Sequence, residues 1–205
     1  MSRARLLHLF DRMERERQDL LRALDVIPPE QLAQQPRNSG WSPAQVITHL
    51  AIVEEGALAY MNKKRDFKKH RPVGLSSVWR SILLNNGLRL PFKYKAPGIV
   101  AEVPATSYAM ARSRWDDARA RMRIAYTEIP EALIGHDLFK HPFMGRFDLL
   151  QAVRFMRRHM HRHAGQIGEH CPSPEDRRSC RPRGYLGDPP NPSLCASLRS
   201  SRLCY

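Results

Sequence analysis

The sequence predicts an all-α protein, and three observations carry that prediction. Apolar residues recur every three to four positions in four separate stretches, helix-boundary residues flank those stretches, and none shows the convincing apolar–polar alternation of a half-buried strand. Four amphipathic helices that each need a partner for one apolar face argue for a bundle. A chain of 205 residues suits one such domain with a single core.

The first helix is expected from Arg3 to Leu24, where Leu6, Phe10, Met13, Leu20 and Leu24 mark one face, and Pro28-Pro29 should close it. Glu30 to Gly40 reads as a polar, turn-rich connection. Trp41-Ser42-Pro43-Ala44-Gln45 then supplies an N-cap serine, a proline at the first helical position and a glutamine placed to complete a capping box. The second helix should run to about Lys64, burying Val46, Leu50, Val53, Ala57 and Met61, and leave through the basic run from Lys63 to Arg71.

Between Pro72 and Pro104 the pattern is irregular. Trp79, Ile82, Leu83 and Leu84 suggest a short helix before a loop punctuated by Pro91, Pro97 and Gly98, and a connection of that length often covers a site. Thr106 or Ser107 can cap the third long helix, whose Tyr108, Ala111, Trp115, Ala118, Met122 and Ala125 keep helical period as far as Pro130. The fourth follows Phe147-Asp148 and carries Leu149, Ala152, Met156, His159, His163 and Ile167 along one side. Trp41, Trp79 and Trp115 read as core anchors.

Composition changes abruptly after His170. All four cysteines (Cys171, Cys180, Cys195, Cys204) and six prolines fall in the last stretch, and the wide cysteine spacing lacks the paired pattern of a zinc knuckle. Residues 1–170 are therefore expected to form the domain, and 171–205 a disordered Pro/Cys/Arg-rich tail.

Thirty-four basic against twenty acidic residues give a net charge of +14, which raises the local concentration of anions without naming one. No run of 18 or more apolar residues appears, and Arg3 and Arg5 lie in an amphipathic pattern with no signal-like cleavage site, so a soluble, cytoplasmic protein with no membrane partner is expected. The basic run Lys63–Arg71 with Arg157, Arg158 and Arg162 offers phosphate contacts, yet tryptophans assigned to the core leave no stacking platform, and nucleic acid is the weaker expectation.

Chemistry concentrates on histidine. His159 and His163 are four apart, so on a helix they stack one turn above each other on the stripe that continues through Met156 and Ile167. His161 is rotated off that stripe and, with His170, is a weaker candidate. His49 falls among Val46, Leu50 and Val53 on the apolar face of a different helix, where a buried imidazole needs a partner. Together the three offer nitrogen ligands suited to zinc, nickel, copper or iron, with a coordination position left for water or substrate. Glu54 and Glu55 follow His49 by about a turn and a half, as a base, as a group bonded to a ligand, or as solvent-facing carboxylates. Gln166, one turn after His163, is placed to orient a ligand. His141 belongs more naturally to the turn before the fourth helix. No residue declares itself catalytic.

Trp41-Ser42-Pro43-Ala44-Gln45-Val46-Ile47-Thr48-His49-Leu50 resembles the second-helix signature of the DinB/YfiT-like superfamily. His141-Pro142-Phe143-Met144-Gly145, leading into His159-x3-His163-x2-Gln166-Ile167, resembles its last-helix signature. The resemblance covers Leu6 to Ile167. It implies an up-down-down-up four-helix bundle with a long crossover between helices two and three, and a divalent metal (zinc, nickel or iron) held by His49, His159 and His163. It also implies metal-dependent hydrolysis or transfer to a low-molecular-weight thiol, a small-molecule substrate and pairing into a homodimer. The competing reading is a basic nucleic-acid-binding or stress-related interaction module without catalysis. The long connection and the cysteine-rich tail depart from the compact family pattern.

Overall fold

The computed structural model of the chain describes residues 2–36, 40–67, 69–88 and 103–170. The expected loop at Pro91, Pro97 and Gly98 and the expected disordered tail from 171 to 205 lie outside the described residues.

The described chain is mostly helical. α1 spans Arg3–Leu24 and starts where the Ser2 hydroxyl accepts from the Arg5 amide; Leu6, Phe10, Met13, Leu20 and Leu24 are buried as their spacing requires. Pro28 and Pro29 stop α1, but Pro29 also opens a five-residue helix, α2 (Pro29–Ala33). A turn-rich connection was expected there. Proline is pre-set for the first helical position, and Leu32 gives the short turn a buried anchor.

α3 runs Pro43–Arg65 behind a complete capping box: the Gln45 amide donates to the Ser42 hydroxyl at 3.2 Å and the Ser42 amide to the Gln45 side chain at 3.0 Å. Its first half, Ala44 to Ala51, is buried on every side. Val53, expected in the core, is only partly buried. α4 spans Leu75–Gly87, α5 spans Tyr108–Glu128 with Ser107 as its cap, and α6 spans Leu149–His170. Asp148 and Gln151 cap α6 reciprocally, at 2.7 and 3.1 Å.

The long helices share one core. α3 packs most extensively on α5, α1 packs on α5 and α6, and α3 also touches α6, so the two helices expected to bear histidines are neighbours. Phe10, Trp115, Phe147 and Met61 are among the largest side chains fully enclosed there.

Two expectations need correction, and the short helix packs in an unexpected sense. A small antiparallel hairpin, β1 (Phe139–His141) with β2 (Gly145–Phe147), precedes α6 although no strand was expected. Three-residue strands are too short to show a period, and the reversal depends on Gly145 at φ 79°, a left-handed conformation that glycine adopts without strain. Trp79 is exposed, not a core anchor, whereas Trp115 is fully buried and Trp41 half-buried. Most of α4 is inverted: Ser77 and Ser81 face inward while Leu75, Val78, Trp79, Ile82 and Leu83 face out, and Leu84 packs on the core. Ser77 donates to Gln151 at 2.7 Å, so a polar face can be buried against α6 with its hydroxyl satisfied.

Candidate metal centre

His49 sits in the part of α3 that is buried all round, and the capping box that fixes the start of that helix also fixes the height of His49 in the core. His159 and His163 lie on α6 at a spacing of one turn. Their Nε2 atoms are 3.1 Å apart. Two nitrogens bound tetrahedrally to one ion at about 2.1 Å stand roughly 3.4 Å apart, so this pair already has the separation a shared ion needs. The His49 ring centroid is 5.2 Å from that of His159 and 4.8 Å from that of His163. One nitrogen from each of the three rings lies within 4.8 Å of the others.

The surroundings keep the α6 pair unprotonated. Burial, then the proximity of the other histidines, lowers His159 well below the usual imidazole range. Burial and His49 lower His163 to about 3, although its bond to Gln166 pulls the other way. His163 Nδ1 is 2.7 Å from the Gln166 side-chain oxygen. An amide oxygen accepts, so Nδ1 carries the proton and Nε2 keeps its lone pair toward the other two rings. Gln166 thus orients His163 as its position predicts. Aromatic faces complete the walls: Trp41 lies over His49 at 4.8 Å and near His163 at 6.4 Å, and Phe155 stacks on His159 at 5.5 Å.

Other sequence candidates are placed elsewhere. His161 points off the stripe, as expected, with Nε2 2.9 Å from Glu16 on α1. Glu54 is neither solvent-facing nor bonded to a ligand histidine: Arg119 donates to both of its oxygens, at 2.6 and 2.7 Å, and the Trp115 indole donates at 3.0 Å. Glu55 pairs with Arg114 and Arg121 at the surface. His141 accepts at Nδ1 from the Phe143 and Met144 amides and sets its ring edge-on to Phe155 at 4.8 Å; burial lowers it to about 4. The His170 side chain lies outside the described set.

The basic residues of α6 also have partners. Arg157 donates to both Glu16 oxygens at 2.6 Å, and Arg162 donates to the Leu88 carbonyl at 3.4 Å. The sequence offers these residues either as phosphate contacts or as a solvated face, and it names neither partner. Sequence reasoning missed the partners because Glu16 is more than a hundred residues away, and it missed Trp41 and Phe155 as site walls because an aromatic on an apolar stripe gives no sign of which ring it will cover.

Fold and site together define a helical domain with an interior three-histidine cluster of the kind that holds a metal ion. The chain belongs to the DinB superfamily, whose family model matches residues 12–167. No curated protein and no solved structure matched the chain.

Proposed function

We propose that this DinB protein is a divalent-metal-dependent enzyme in which His49, His159 and His163 hold the ion and its open position receives the reacting group. The observation that carries the reading is the convergence of three ring nitrogens from two helices within 4.8 Å, with two of the three rings held unprotonated by their surroundings. A donor set of imidazoles alone suits zinc, nickel or iron. Such an ion supplies a Lewis-acid position that favours the deprotonated form of a nucleophile, water for hydrolysis or a low-molecular-weight thiol for transfer.

The chain's own residues have separable tasks. Gln166 fixes the tautomer of His163; Trp41 and Phe155 limit rotation of His49 and His159 and exclude water from one side of the cluster. The long helices α1, α3, α5 and α6 are read as an up-down-down-up four-helix bundle, with α4 and residues 89–102 in the crossover between its second and third members.

Elemental analysis of protein purified without a histidine tag tests the reading directly. Stoichiometric metal in the wild type, lost in His159→Ala and His163→Ala variants that keep the wild-type helical signal, supports it. Metal-free wild type that stays metal-free after incubation with zinc, nickel or ferrous ion overturns it. A thiol-acceptor screen run beside ester and amide hydrolysis then separates the two chemistries.

A further inference from the structure

α4 carries its amphipathicity inside out. Leu75, Val78, Trp79, Ile82 and Leu83 recur at three-to-four spacing on one face, with Leu75 82%, Trp79 70% and Leu83 66% exposed, while Ser77 on the opposite face is 2% exposed. Apolar side chains gathered on one outward stripe mark an interaction surface, since a helix left to its own preferences would bury them. The inversion is fixed by bonding: the Ser77 hydroxyl lies 2.7 Å from Gln151 and 3.0 Å from the Arg146 carbonyl, which ties the polar face to α6 and the hairpin.

Charge around the stripe has one sign. Residues 67–88 and 138–147 contain no aspartate or glutamate. Lys69, Arg71, Arg80, Lys140 and Arg146 are all exposed, and Phe143 stands 71% exposed at the hairpin turn beside them. Asp137, the carboxylate that Arg146 and Lys64 share, is buried beneath this cluster and presents no negative surface.

From this we infer that the α4 face docks onto an anionic lipid surface. An exposed apolar stripe containing a tryptophan, edged by lysine and arginine from segments without aspartate or glutamate, matches the requirements of a helix lying in the membrane interface plane, where apolar burial and headgroup attraction add. A second copy of the chain fits less well, because a two-fold pairing through α4 would set the same five cations against one another. The contact is superficial. A thirteen-residue helix is about 20 Å long, and among the described residues no helix is long and apolar enough to cross a membrane.

Co-sedimentation of the full chain with phosphatidylcholine vesicles, with and without phosphatidylserine, tests the inference. Binding should appear with the acidic vesicles, weaken with added salt, and shift the emission of Trp79 to the blue. Leu75→Ser/Trp79→Gln/Leu83→Ser removes only exposed side chains, so it should fold normally and lose binding by at least an order of magnitude; Lys140→Ala should weaken it roughly five-fold. No binding to acidic vesicles, or equal binding by the triple variant, overturns the inference. So does a wild-type dimer that the triple variant dissociates while vesicles stay unbound, which would assign the face to a second copy.

Discussion

Replacing Glu54 by glutamine separates a structural carboxylate from one that serves the histidine site. Glu54 and Arg119 each expose 3% of their side chain, and two short bonds join them in parallel. Glutamine keeps the shape and one accepting oxygen but removes the charge, leaving the enclosed Arg119 guanidinium with a single neutral acceptor at that position and a longer contact, 3.4 Å, to the Glu14 carboxylate. Breaking a buried pair from one side costs about 3–5 kcal/mol, because the remaining ion keeps its desolvation penalty and loses its attraction. The surviving Glu14 contact and the arginine's position over the Trp115 ring, 5.5 Å to its centroid, place the expected loss near the lower end, about 3 kcal/mol. With a urea dependence of about 2 kcal/mol per molar, the unfolding midpoint should fall by roughly 1.5 M. The double variant Glu54→Leu/Arg119→Met should recover part of that loss, since neither member of the pair is left as an uncompensated charge, while the Trp115 indole loses its acceptor. Metal content per folded molecule should stay at the wild-type value in both. A midpoint shift under about 0.5 M, or metal loss from a Glu54→Gln protein that remains folded, would refute the assignment of this carboxylate to the core.

The remaining predictions address the site and its supports. Gln166→Leu should weaken metal binding by about 10–100-fold, measured by competition with a chromogenic chelator, and leave stability of the metal-free protein nearly unchanged because Gln166 is exposed. Glu16 is lowered from 4.5 to about 2: burial opposes its ionisation, but His161 and Arg157 outweigh burial. Its folded value lies below its unfolded one, so the stability it contributes is complete above pH 4.5 and fades as pH falls toward 2; Glu16→Gln should flatten that part of the stability-against-pH curve in urea titrations. Gly145→Ala should cost about 1 kcal/mol by thermal unfolding, because a side chain at φ 79° is strained even though the space beyond is open to 3.9 Å. Protein stripped by a chelator should keep its helical circular dichroism, and saturating metal at 100 times Kd should then add about 2.7 kcal/mol to stability.

Local signals carried further into the fold than long-range ones. Ser42, Pro43 and Gln45 announce the start of α3 because every atom of the capping box lies within four residues, and Ser107 and Asp148 do the same for α5 and α6. The clustering of the three histidines was legible for a related reason: period alone puts His159 over His163, and an imidazole among Val46 and Leu50 on the apolar face of α3 turns inward. What stayed hidden depends on partners far along the chain. Glu54 follows His49 by five positions and looks like a site carboxylate, yet Arg119 claims it from across the core. Trp79 and Leu83 have the spacing of a core stripe, and nothing within α4 itself reveals that Ser77 and Ser81 will be the pair turned inward. Periodicity identifies a face, whereas the choice of which face goes inside is made by Gln151 and the Arg146 carbonyl on other elements.

The charge pairs also bear on how the histidine cluster is held. α3 is fixed to α5 by Glu54 and Arg119, and α6 is fixed to α1 by Arg157 and His161 on Glu16. The two helices that carry the three histidines therefore have their positions set by bonds outside the cluster. Nearly all of the reorganisation left to the site is then rotation of side chains, and Trp41, Phe155 and Gln166 restrict even that. For the proposed ion, a site prepared in this way would concentrate binding free energy on coordination instead of on folding, unlike small zinc-nucleated domains whose chain is ordered only by the metal. The same pairs account for charge beside an apolar core: Glu54 with Arg119 and Glu16 with Arg157 are each paired at a helix–helix contact whose register must hold if imidazoles from different helices are to meet.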